Sequence, residues 1–422
     1  MNAVLASDGG ESIVLMVVVR LIVIIAAARA GGWLLGKLGQ PQVVGEILTG
    51  LLLGPSALGR VSPQLFEQLS SGPAESVLLV LGQLGLIFLM FVVGLEFEFS
   101  HLKHVGRAAA GVATAGIALP FALGAAFAWF MHAAVAADIS RPAFVLFVAT
   151  AMSITAIPIL GRIMIEFGLT KTSLGVLTIS AAAIDDAVGW ILLAAVSGAV
   201  RGNFELWPVA KMLGLTVLFV LVIFLVVRPL VGRWSESTLA RSDNVVGLVP
   251  FSIVLLLILA SAVATSLIGV FSIFGPFALG AALSDQQRIV QAVRGRLDEF
   301  VTAFFLPIFF TFTGLRTDMG SLGSVELWTM CALLIATAVV GKMAGCGIAA
   351  RLGGFNWRES ASVAVMMNTR ALMGLIAVNI GRDLGVIPDS VFCMMVLMAI
   401  ATTIMTAPLL RLLVAPAARG SH

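Results

Sequence analysis

The stretch Ile179-Ser-Ala-Ala-Ala-Ile-Asp-Asp-Ala-Val-Gly-Trp-Ile-Leu-Leu193 decides which kind of fold this chain can adopt. Two adjacent carboxylates, Asp185 and Asp186, lie in the middle of a largely apolar run. An ionisable side chain at the centre of a membrane is costly, and it is found mainly where it serves function. The pattern therefore predicts a membrane helix that carries two functional charges.

The composition of the whole chain supports this interpretation. Of its 422 residues, 60% are hydrophobic and only 11% are charged, whereas charged residues make up about a quarter of a soluble domain. The mean hydropathy is +1.09. These values exclude a soluble globular protein and predict an all-α polytopic membrane protein that is surrounded by the lipid bilayer. The net charge of +3 does not indicate nucleic-acid binding, because basic residues in a membrane protein mostly set its orientation. No nucleic-acid partner is expected.

The apolar segments set the number of crossings, because a helix needs about 20 apolar residues to span the hydrocarbon core. Cutting the chain at charged, Gly- and Pro-marked junctions predicts about thirteen helices. Their approximate spans are 11–36, 41–59, 75–97, 106–133, 142–166, 171–200, 206–231, 243–267, 270–285, 294–315, 324–352, 358–382 and 388–415.

Basic residues predict the orientation of these helices. With the amino end outside, fifteen Lys and Arg residues fall at cytoplasmic junctions and six at outer junctions. The positive-inside rule therefore favours an amino end outside and a carboxyl end in the cytoplasm. The first residues lack the basic start and cleavage site of a signal peptide, and residues 419–422 resemble the remnant of an affinity tag.

The two aspartates and Lys342 form the first group of candidate site residues. Neighbouring helical residues point about 100° apart, so one aspartate can contact a packed partner while the other faces a cavity. Two close carboxylates in a site of low polarity cannot both ionise cheaply, and they should titrate as a coupled pair. Lys342 lies deep in an apolar helix and needs a carboxylate partner. The aspartates are the first candidates, and Glu46 or Glu96 are the alternatives.

Two interrupted helices form the second group. In the fifth segment, Pro158 removes a backbone donor, and Ser153 and Thr155 can bond to backbone groups or to an ion. A plain proline kink is the simpler alternative there. In the twelfth segment, Asn368 and Arg370 lie near the midplane. Irregular backbone at this depth is tolerated only where it is buried in protein or lines a cavity.

The role of Arg370 is open between two alternatives. Its charge can offset the negative ends of half-helices at the break, or it can bind a carboxylate such as Glu46 or Glu96. A structural role is expected in both cases. The breaks are seven helices apart, and this odd shift inverts the second half of the chain relative to the first, as in many secondary transporters.

Other chemistry is not indicated. The sequence contains no phosphate-binding G-x-x-x-x-G-K-[ST] loop, so no ATP hydrolysis and no enzymatic activity are expected. Cys331, Cys346 and Cys393 lack metal-ligand spacing, and we expect no resident cofactor.

Several motifs, in this order along the chain, resemble the monovalent cation:proton antiporter superfamily. The likeness is to its paired-aspartate branch, which includes bacterial Na⁺/H⁺ exchangers, plant cation/H⁺ exchangers and glutathione-gated potassium efflux antiporters. The motifs are Pro41-Gln-Val-Val-Gly-Glu-Ile-Leu-Thr-Gly-Leu-Leu-Leu-Gly-Pro55, Val92-Val-Gly-Leu-Glu96, Ser153-Ile-Thr-Ala-Ile-Pro158, Ala183-Ile-Asp-Asp186, Gly341-Lys342 and Asn368-Thr-Arg370.

The resemblance implies a homodimer in the plasma membrane (the inner membrane of a bacterium), with inverted repeats and with the fifth and twelfth helices broken and crossing. It also implies an elevator-like movement of a core domain. The implied division of the chain is 1–105 and 232–320 for dimerisation, 106–200 and 321–418 for the core, and 201–231 for a linker helix.

The resemblance further implies a role for each site residue. Asp186 would be the main carrier of cation and proton, and Asp185 would pair with Lys342 in one protonation state. Thr155, Ser153 and Asn368 would contribute to the cation site, beside Arg370. Exchange in this branch is associated with two protons per cation and is therefore electrogenic.

Two departures from the family pattern limit these expectations. Relatives often carry Gly and Glu after the basic residue of the twelfth helix, where this chain has Ala371 and Gly374, so a carboxylate role there is not expected. The cytoplasmic nucleotide-binding domain of the potassium efflux members is absent from the sequence, although the tag-like ending leaves a removed regulatory domain possible.

The leading functional hypothesis is exchange of Na⁺ or Li⁺ for H⁺. The alternatives are K⁺/H⁺ exchange of the potassium efflux type and a gated cation efflux pathway, which Lys342 disfavours unless it is paired. A membrane sensor or scaffold would leave the buried aspartates without a purpose.

Overall fold

The computed structural model describes residues 9–70, 72–95, 106–155, 160, 163–164, 167, 169, 172–202, 205–239 and 248–414. Every regular element in these ranges is a helix, which confirms the predicted all-α fold. Glu96, Pro158 and residues 419–422 lie outside the described residues.

Eighteen α-helices are named here in chain order. They are α1 (Gly9–Lys37), α2 (Gln42–Leu53), α3 (Leu58–Val61), α4 (Pro63–Ser70), α5 (Pro73–Leu95), α6 (Arg107–Val135), α7 (Arg141–Ser153), α8 (Ser173–Arg201), α9 (Leu206–Val222), α10 (Arg228–Leu239), α11 (Leu248–Ile268), α12 (Phe274–Leu283), α13 (Gln287–Phe300), α14 (Leu306–Leu315), α15 (Val325–Leu352), α16 (Trp357–Met367), α17 (Ala371–Asp383) and α18 (Asp389–Leu413). Short π-helical segments, Ile223–Val227 and Val301–Phe305, join α9 to α10 and α13 to α14.

Ten helical spans among the described residues are long and apolar enough to cross a membrane. The three remaining predicted spans, 142–166, 270–285 and 358–382, contain shorter helices. The first holds α7, the second holds α12, and the third is divided into α16 and α17. The count of thirteen crossings therefore stays a prediction.

The chain divides into two compact units. One contains residues 1–26, 71–100 and 197–312, and the other contains residues 27–70, 101–196 and 313–422. The larger unit holds Asp185, Lys342 and both interrupted segments. The assignment of parts of the chain to a dimerisation domain and a mobile core remains a prediction.

Helix α15 is the central contact element of the larger unit, where it packs against α6, α16 and α18. Glycines allow it to approach α6 closely. A Cβ atom added at Gly345 would lie 2.5 Å from the carbonyl oxygen of Ala115, and one added at Gly341 would lie 3.1 Å from the Cα of Pro120. Small residues at such crossings are typical of membrane helices, because they let two backbones pack in direct contact.

The smaller unit uses the same device where α5 packs against α12. A Cβ added at Gly94 would lie 2.4 Å from the carbonyl oxygen of Phe277, and one added at Gly280 would lie 2.3 Å from that of Phe91. At the end of α12, Arg228 forms a salt bridge with Asp285.

The interruption in the twelfth segment has clear local signals. Helix α16 begins with a capping box, in which Asn356 accepts from the backbone N–H of Glu359 and the Glu359 side chain accepts from the backbone of Asn356. It ends at Met367, and α17 begins at Ala371, so the irregular residues are Asn368, Thr369 and Arg370. A helix end inside a membrane leaves carbonyl and N–H groups that need other partners.

Candidate functional site

A buried ion pair joins α15 to α8. The ammonium nitrogen of Lys342 lies 2.5 Å from Oδ2 of Asp185, and neither side chain is exposed (0% each). The same ammonium donates to the carbonyl oxygen of Ser153 at 2.6 Å, which is the last residue of α7. A cation at this position offsets the negative carbonyl end of a helix. Lys342 is therefore compensated by a carboxylate and by a helix terminus together.

Thr155 connects this pair to the second break. Its hydroxyl oxygen lies 2.6 Å from Oδ2 of Asp185 and 3.0 Å from the carbonyl oxygen of Met367. A hydroxyl has one proton, so it donates to only one of these acceptors at a time. Met367 is the last residue of α16. The two interrupted segments thus meet at Thr155, beside the ion pair.

Asp186 follows Asp185 in α8 and is 1% exposed. Because successive helical side chains point about 100° apart, its carboxylate has a different direction from that of Asp185. In the described part of the chain, Oδ1 of Asp185 has no hydrogen-bond partner. Oδ2 of Asp185 therefore contacts both Lys342 and Thr155, and Oδ1 can still accept a hydrogen bond.

Arg370 connects α17 to two other helices. Its guanidinium donates through Nη1 to the carbonyl oxygen of Met152 and through Nη2, at 2.7 Å, to that of Ala338. Arg370 was predicted either to offset the end of a half-helix or to bind a carboxylate. The contact seen is with a half-helix end, since Met152 lies in the last turn of α7. Glu46 instead lies 3.4 Å from Nη1 of Arg29.

The side chains of Asn368 and Ser153 have contacts that the sequence did not predict. The amide nitrogen of Asn368 donates to the sulfur of Met405 at 3.5 Å, and its Oδ1 has no hydrogen-bond partner among the described residues. The Ser153 hydroxyl donates to the carbonyl oxygen of Thr150 at 2.8 Å. Ser153 therefore contacts Lys342 through its carbonyl group, and not through its hydroxyl.

Sequence reasoning missed the residues that hold these groups in place. Gly116 lies against α15, where an added Cβ would be 2.5 Å from the sulfur of Cys346 and 3.9 Å from Nζ of Lys342. Thr406 lies 3.3 Å from the hydroxyl of Thr369. The Thr402-Thr403-x-x-Thr406 pattern in an apolar helix was the available signal for the second contact, because threonine is enriched where membrane helices pack together.

The donor set of the site consists of oxygens. Four of the predicted cation ligands are the carboxylates of Asp185 and Asp186, the Thr155 hydroxyl and the Asn368 amide oxygen, and hard cations prefer such ligands. Of these groups, the structure shows a direct contact between the Thr155 hydroxyl and the Asp185 carboxylate. The described residues contain no group of three His, Cys, Asp or Glu that could hold a metal ion.

Comparison with known proteins gives a family match. The family model described as "Sodium/hydrogen exchanger, transmembrane" matches residues 10–413. The chain is 37% identical to the Na⁺/H⁺ antiporter NhaS4 of Synechocystis, over 90% of this chain and 92% of that protein. It is 29% identical to the Na⁺/H⁺-K⁺ antiporter GerN of Bacillus cereus, over 91% and 92% respectively.

Two further comparisons concern a longer relative and a solved structure. The chain is 35% identical to cation/H⁺ antiporter 20 of Arabidopsis thaliana over 91% of its own length, but it spans only 47% of that protein. The structure is similar to that of the sodium proton antiporter MjNhaP1 of Methanocaldococcus jannaschii, with a TM-score of 0.62 and 16% sequence identity. The match covers 94% of this chain and 96% of MjNhaP1. This structural likeness concerns the fold alone.

Proposed function

This chain belongs to the sodium/hydrogen exchanger family of membrane antiporters that exchange cations for protons, and from that premise we propose that it exchanges Na⁺ or Li⁺ for H⁺. The proposal assigns the exchange to Asp186 and Asp185, with Lys342 as the compensating charge. Arg370 is proposed to be structural, while Thr155 and Asn368 contribute oxygens to the cation, and Ser153 acts through its backbone.

The observation that carries the proposal is the fully buried contact between Lys342 and Asp185, 2.5 Å long, at the point where two broken helices meet. Burying two charges costs several kcal/mol per ion before they attract each other. Replacing such a pair with apolar residues would cost less. A pair kept at this depth is best explained by a function that needs the charges to separate and re-form.

The proposed exchange follows from charge balance at the site. With Asp185 bound to Lys342, the second carboxylate, Asp186, accepts either a cation or a proton. When a cation enters, the Thr155 hydroxyl and the Asn368 oxygen replace part of its water, and two protons are released, one from Asp186 and one from the Asp185–Lys342 pair. When the cation leaves, protons restore the balance. The same atoms serve both ions, so one ion excludes the other.

Several larger-scale features belong to the same proposal. Transport would use an elevator-like shift of a core domain, in which a midplane site alternates between the two sides of the membrane. Release of two protons per cation would make the exchange electrogenic. The protein would work as a homodimer in the plasma membrane, with its amino end outside. A cytoplasmic regulatory domain beyond this chain is part of the hypothesis only for the potassium branch.

K⁺/H⁺ exchange is the second candidate for the ion. GerN, which is 29% identical to this chain, is a Na⁺/H⁺-K⁺ antiporter by name. Carboxylate, hydroxyl and amide oxygens bind Na⁺ and K⁺ alike, because selectivity depends on cavity size and ligand number more than on donor type. A gated efflux pathway is the third candidate, and the pairing of Lys342 with Asp185 removes the charge that would repel a permeant cation.

Proteoliposomes with an imposed pH gradient test these proposals directly. Proton release is followed after addition of Na⁺, Li⁺ or K⁺, with Asp186→Asn beside the wild type. The expected result is a response to Na⁺ and Li⁺ that is lost in the variant. A response to K⁺ assigns the protein to the second candidate. Cation flux without proton movement supports the gated pathway and contradicts exchange.

A further inference from the structure

Two neighbouring residues of α18, Met405 and Thr406, contact two neighbouring residues of the break between α16 and α17. The amide nitrogen of Asn368 donates to the sulfur of Met405 at 3.5 Å, and the hydroxyl oxygens of Thr369 and Thr406 lie 3.3 Å apart. Neither α18 residue contributes to the proposed exchange so far. Their contacts nevertheless hold the polar residues that follow α16.

Thr406 holds the backbone of the break against α18. Its hydroxyl donates to the carbonyl oxygen of Thr402 at 2.9 Å. The Thr369 hydroxyl lies between Thr406 and the carbonyl oxygen of Met366, which is 2.9 Å away. Thr369 and Thr406 are both fully buried. Because Asn368 precedes Thr369 in the chain, these contacts also fix the backbone of Asn368 beside Met405.

The sulfur of Met405 determines which end of the Asn368 amide lies against α18. A thioether is an acceptor and has no proton to donate, so it can accept from the NH₂ group of the amide. The reverse orientation would place two acceptors, the amide oxygen and the sulfur, against each other. The oxygen, Oδ1, therefore has a direction different from that of the Met405 contact, and it has no hydrogen-bond partner among the described residues.

The orientation of this amide matters because Asn368 lies beside the buried ion pair. Asn368 follows Met367, whose carbonyl oxygen is 3.0 Å from the Thr155 hydroxyl. The same hydroxyl is 2.6 Å from Oδ2 of Asp185. The carbonyl end of an amide attracts a cation and the NH₂ end repels it. The direction of the amide therefore decides whether Asn368 can serve as a cation ligand.

We infer that Met405 is a positioning residue for cation binding, whose sulfur holds the NH₂ group of Asn368 and leaves Oδ1 as the end offered to the cation. This inference rests on the proposed function, in which Asn368 contributes an oxygen to the cation. Thr406 supports the same arrangement through Thr369. A residue that only filled space would need no acceptor, so an apolar side chain of similar volume should fail to replace Met405.

Cation titrations of proton release by the full chain in proteoliposomes test the inference, with Na⁺, Li⁺ and K⁺ each as the added ion. Met405→Leu keeps the volume of the side chain and removes the acceptor. It should raise the KM for the transported cation about fivefold at unchanged kcat, which corresponds to about 1 kcal/mol, the size of a neutral hydrogen bond. Met405→Gln supplies an oxygen acceptor and should restore a KM close to that of the wild type.

The matched control is Met330→Leu, because Met330 is also a half-buried methionine and lies in the amino-terminal half of α15. It should leave both KM and kcat unchanged. A double-mutant cycle then separates positioning from packing. If Met405 acts through Asn368, then Asn368→Ala/Met405→Leu should have the KM of Asn368→Ala alone, since coupled residues do not have additive effects.

The outcomes separate this inference from the exchange proposal. A Met405→Leu variant with the KM of Met330→Leu overturns the inference, and so do additive effects in the double variant. A Met405→Gln variant that resembles Met405→Leu contradicts the role of the acceptor. A wild-type KM in Asn368→Ala removes Asn368 from the cation site and overturns the inference while exchange stands. No response of the wild type to any of the three cations overturns both proposals.

Discussion

Nζ of Lys342 lies 2.5 Å from Oδ2 of Asp185, with both side chains fully buried. Each residue therefore determines the charge state that the other can hold. Removing one partner leaves a buried charge, whereas removing both leaves none. Single and double variants of this pair can therefore have different effects on stability while both abolish transport, as the first prediction states.

Lys342→Met should destabilise the protein by about 3–5 kcal/mol, because it leaves Asp185 buried without its main partner. The double variant Asp185→Asn/Lys342→Met should recover most of that loss while remaining inactive in exchange. Chemical unfolding in detergent measures both, with Lys211→Met as the exposed lysine control. If the double variant is as unstable as the single one, the pair is not the source of the effect.

Asp186→Asn should abolish cation-dependent proton release and leave the free energy of unfolding within about 1 kcal/mol of the wild type, since an uncharged isostere needs no desolvation. Proteoliposome transport and thermal unfolding provide the two readouts. Asp138→Asn, at an exposed aspartate between α6 and α7, is the matched control and should retain full activity. Transport by Asp186→Asn would contradict the role assigned to this carboxylate.

Thr155→Val should raise the KM for the cation roughly tenfold, because it removes a hydroxyl that hydrogen-bonds to a carboxylate, a contact of about 1.5–3 kcal/mol. Thr155→Ser keeps the hydroxyl and should remain close to the wild type. Cation titrations of proton release in proteoliposomes distinguish the two variants. A wild-type KM in Thr155→Val would contradict a role of the hydroxyl in cation binding, and a loss confined to Thr155→Ser would assign the effect to packing of the methyl group.

Arg370→Lys should destabilise the protein by about 1–3 kcal/mol, because a single ammonium cannot reach both the Met152 and Ala338 carbonyls that the guanidinium contacts. The KM of the fraction that remains folded should change little. Arg233→Lys, at an exposed arginine in α10, is the control. A large change in KM at unchanged stability would assign Arg370 to the ion instead of to the helix ends.

Gly345→Ala should destabilise the protein by about 1–3 kcal/mol through overpacking, because its Cβ would lie 2.5 Å from the backbone oxygen of Ala115. Gly111→Ala is the matched control in α6, since nothing lies within 4 Å of its added Cβ. That change should stabilise the helix by about 0.5–1 kcal/mol. Thermal unfolding compares the two, and equal effects would contradict the close crossing of α6 and α15.

Much of the fold followed from local rules. The apolar lengths located the long helices within a few residues, as with 324–352 for α15 (Val325–Leu352) and 171–200 for α8 (Ser173–Arg201). The polar residues of the twelfth segment marked its interruption. Hydrophobic length and helix-breaking residues act on the chain locally, so a single sequence is sufficient to read them.

The partners of the buried charges were harder to predict from the sequence. Lys342 had two sets of candidate carboxylates, and Arg370 had two candidate roles, since the sequence does not show which helices are neighbours. The Ser153 hydroxyl was expected in the site, yet it donates to Thr150, and its carbonyl contacts Lys342 instead. Backbone carbonyls at a helix end carry no sequence signal of their own.

The sequence by itself determined that this chain is a helical membrane protein with charges at depth, because the cost of exposing or burying each residue type depends mainly on that residue. Only the tertiary structure decided that Asp185 and Thr155 meet Lys342 and that Arg370 meets Met152. Those contacts join residues that are far apart along the chain. Their geometry depends on how closely glycines such as Gly345 let whole helices approach, which is a property of the packed unit and not of any segment alone.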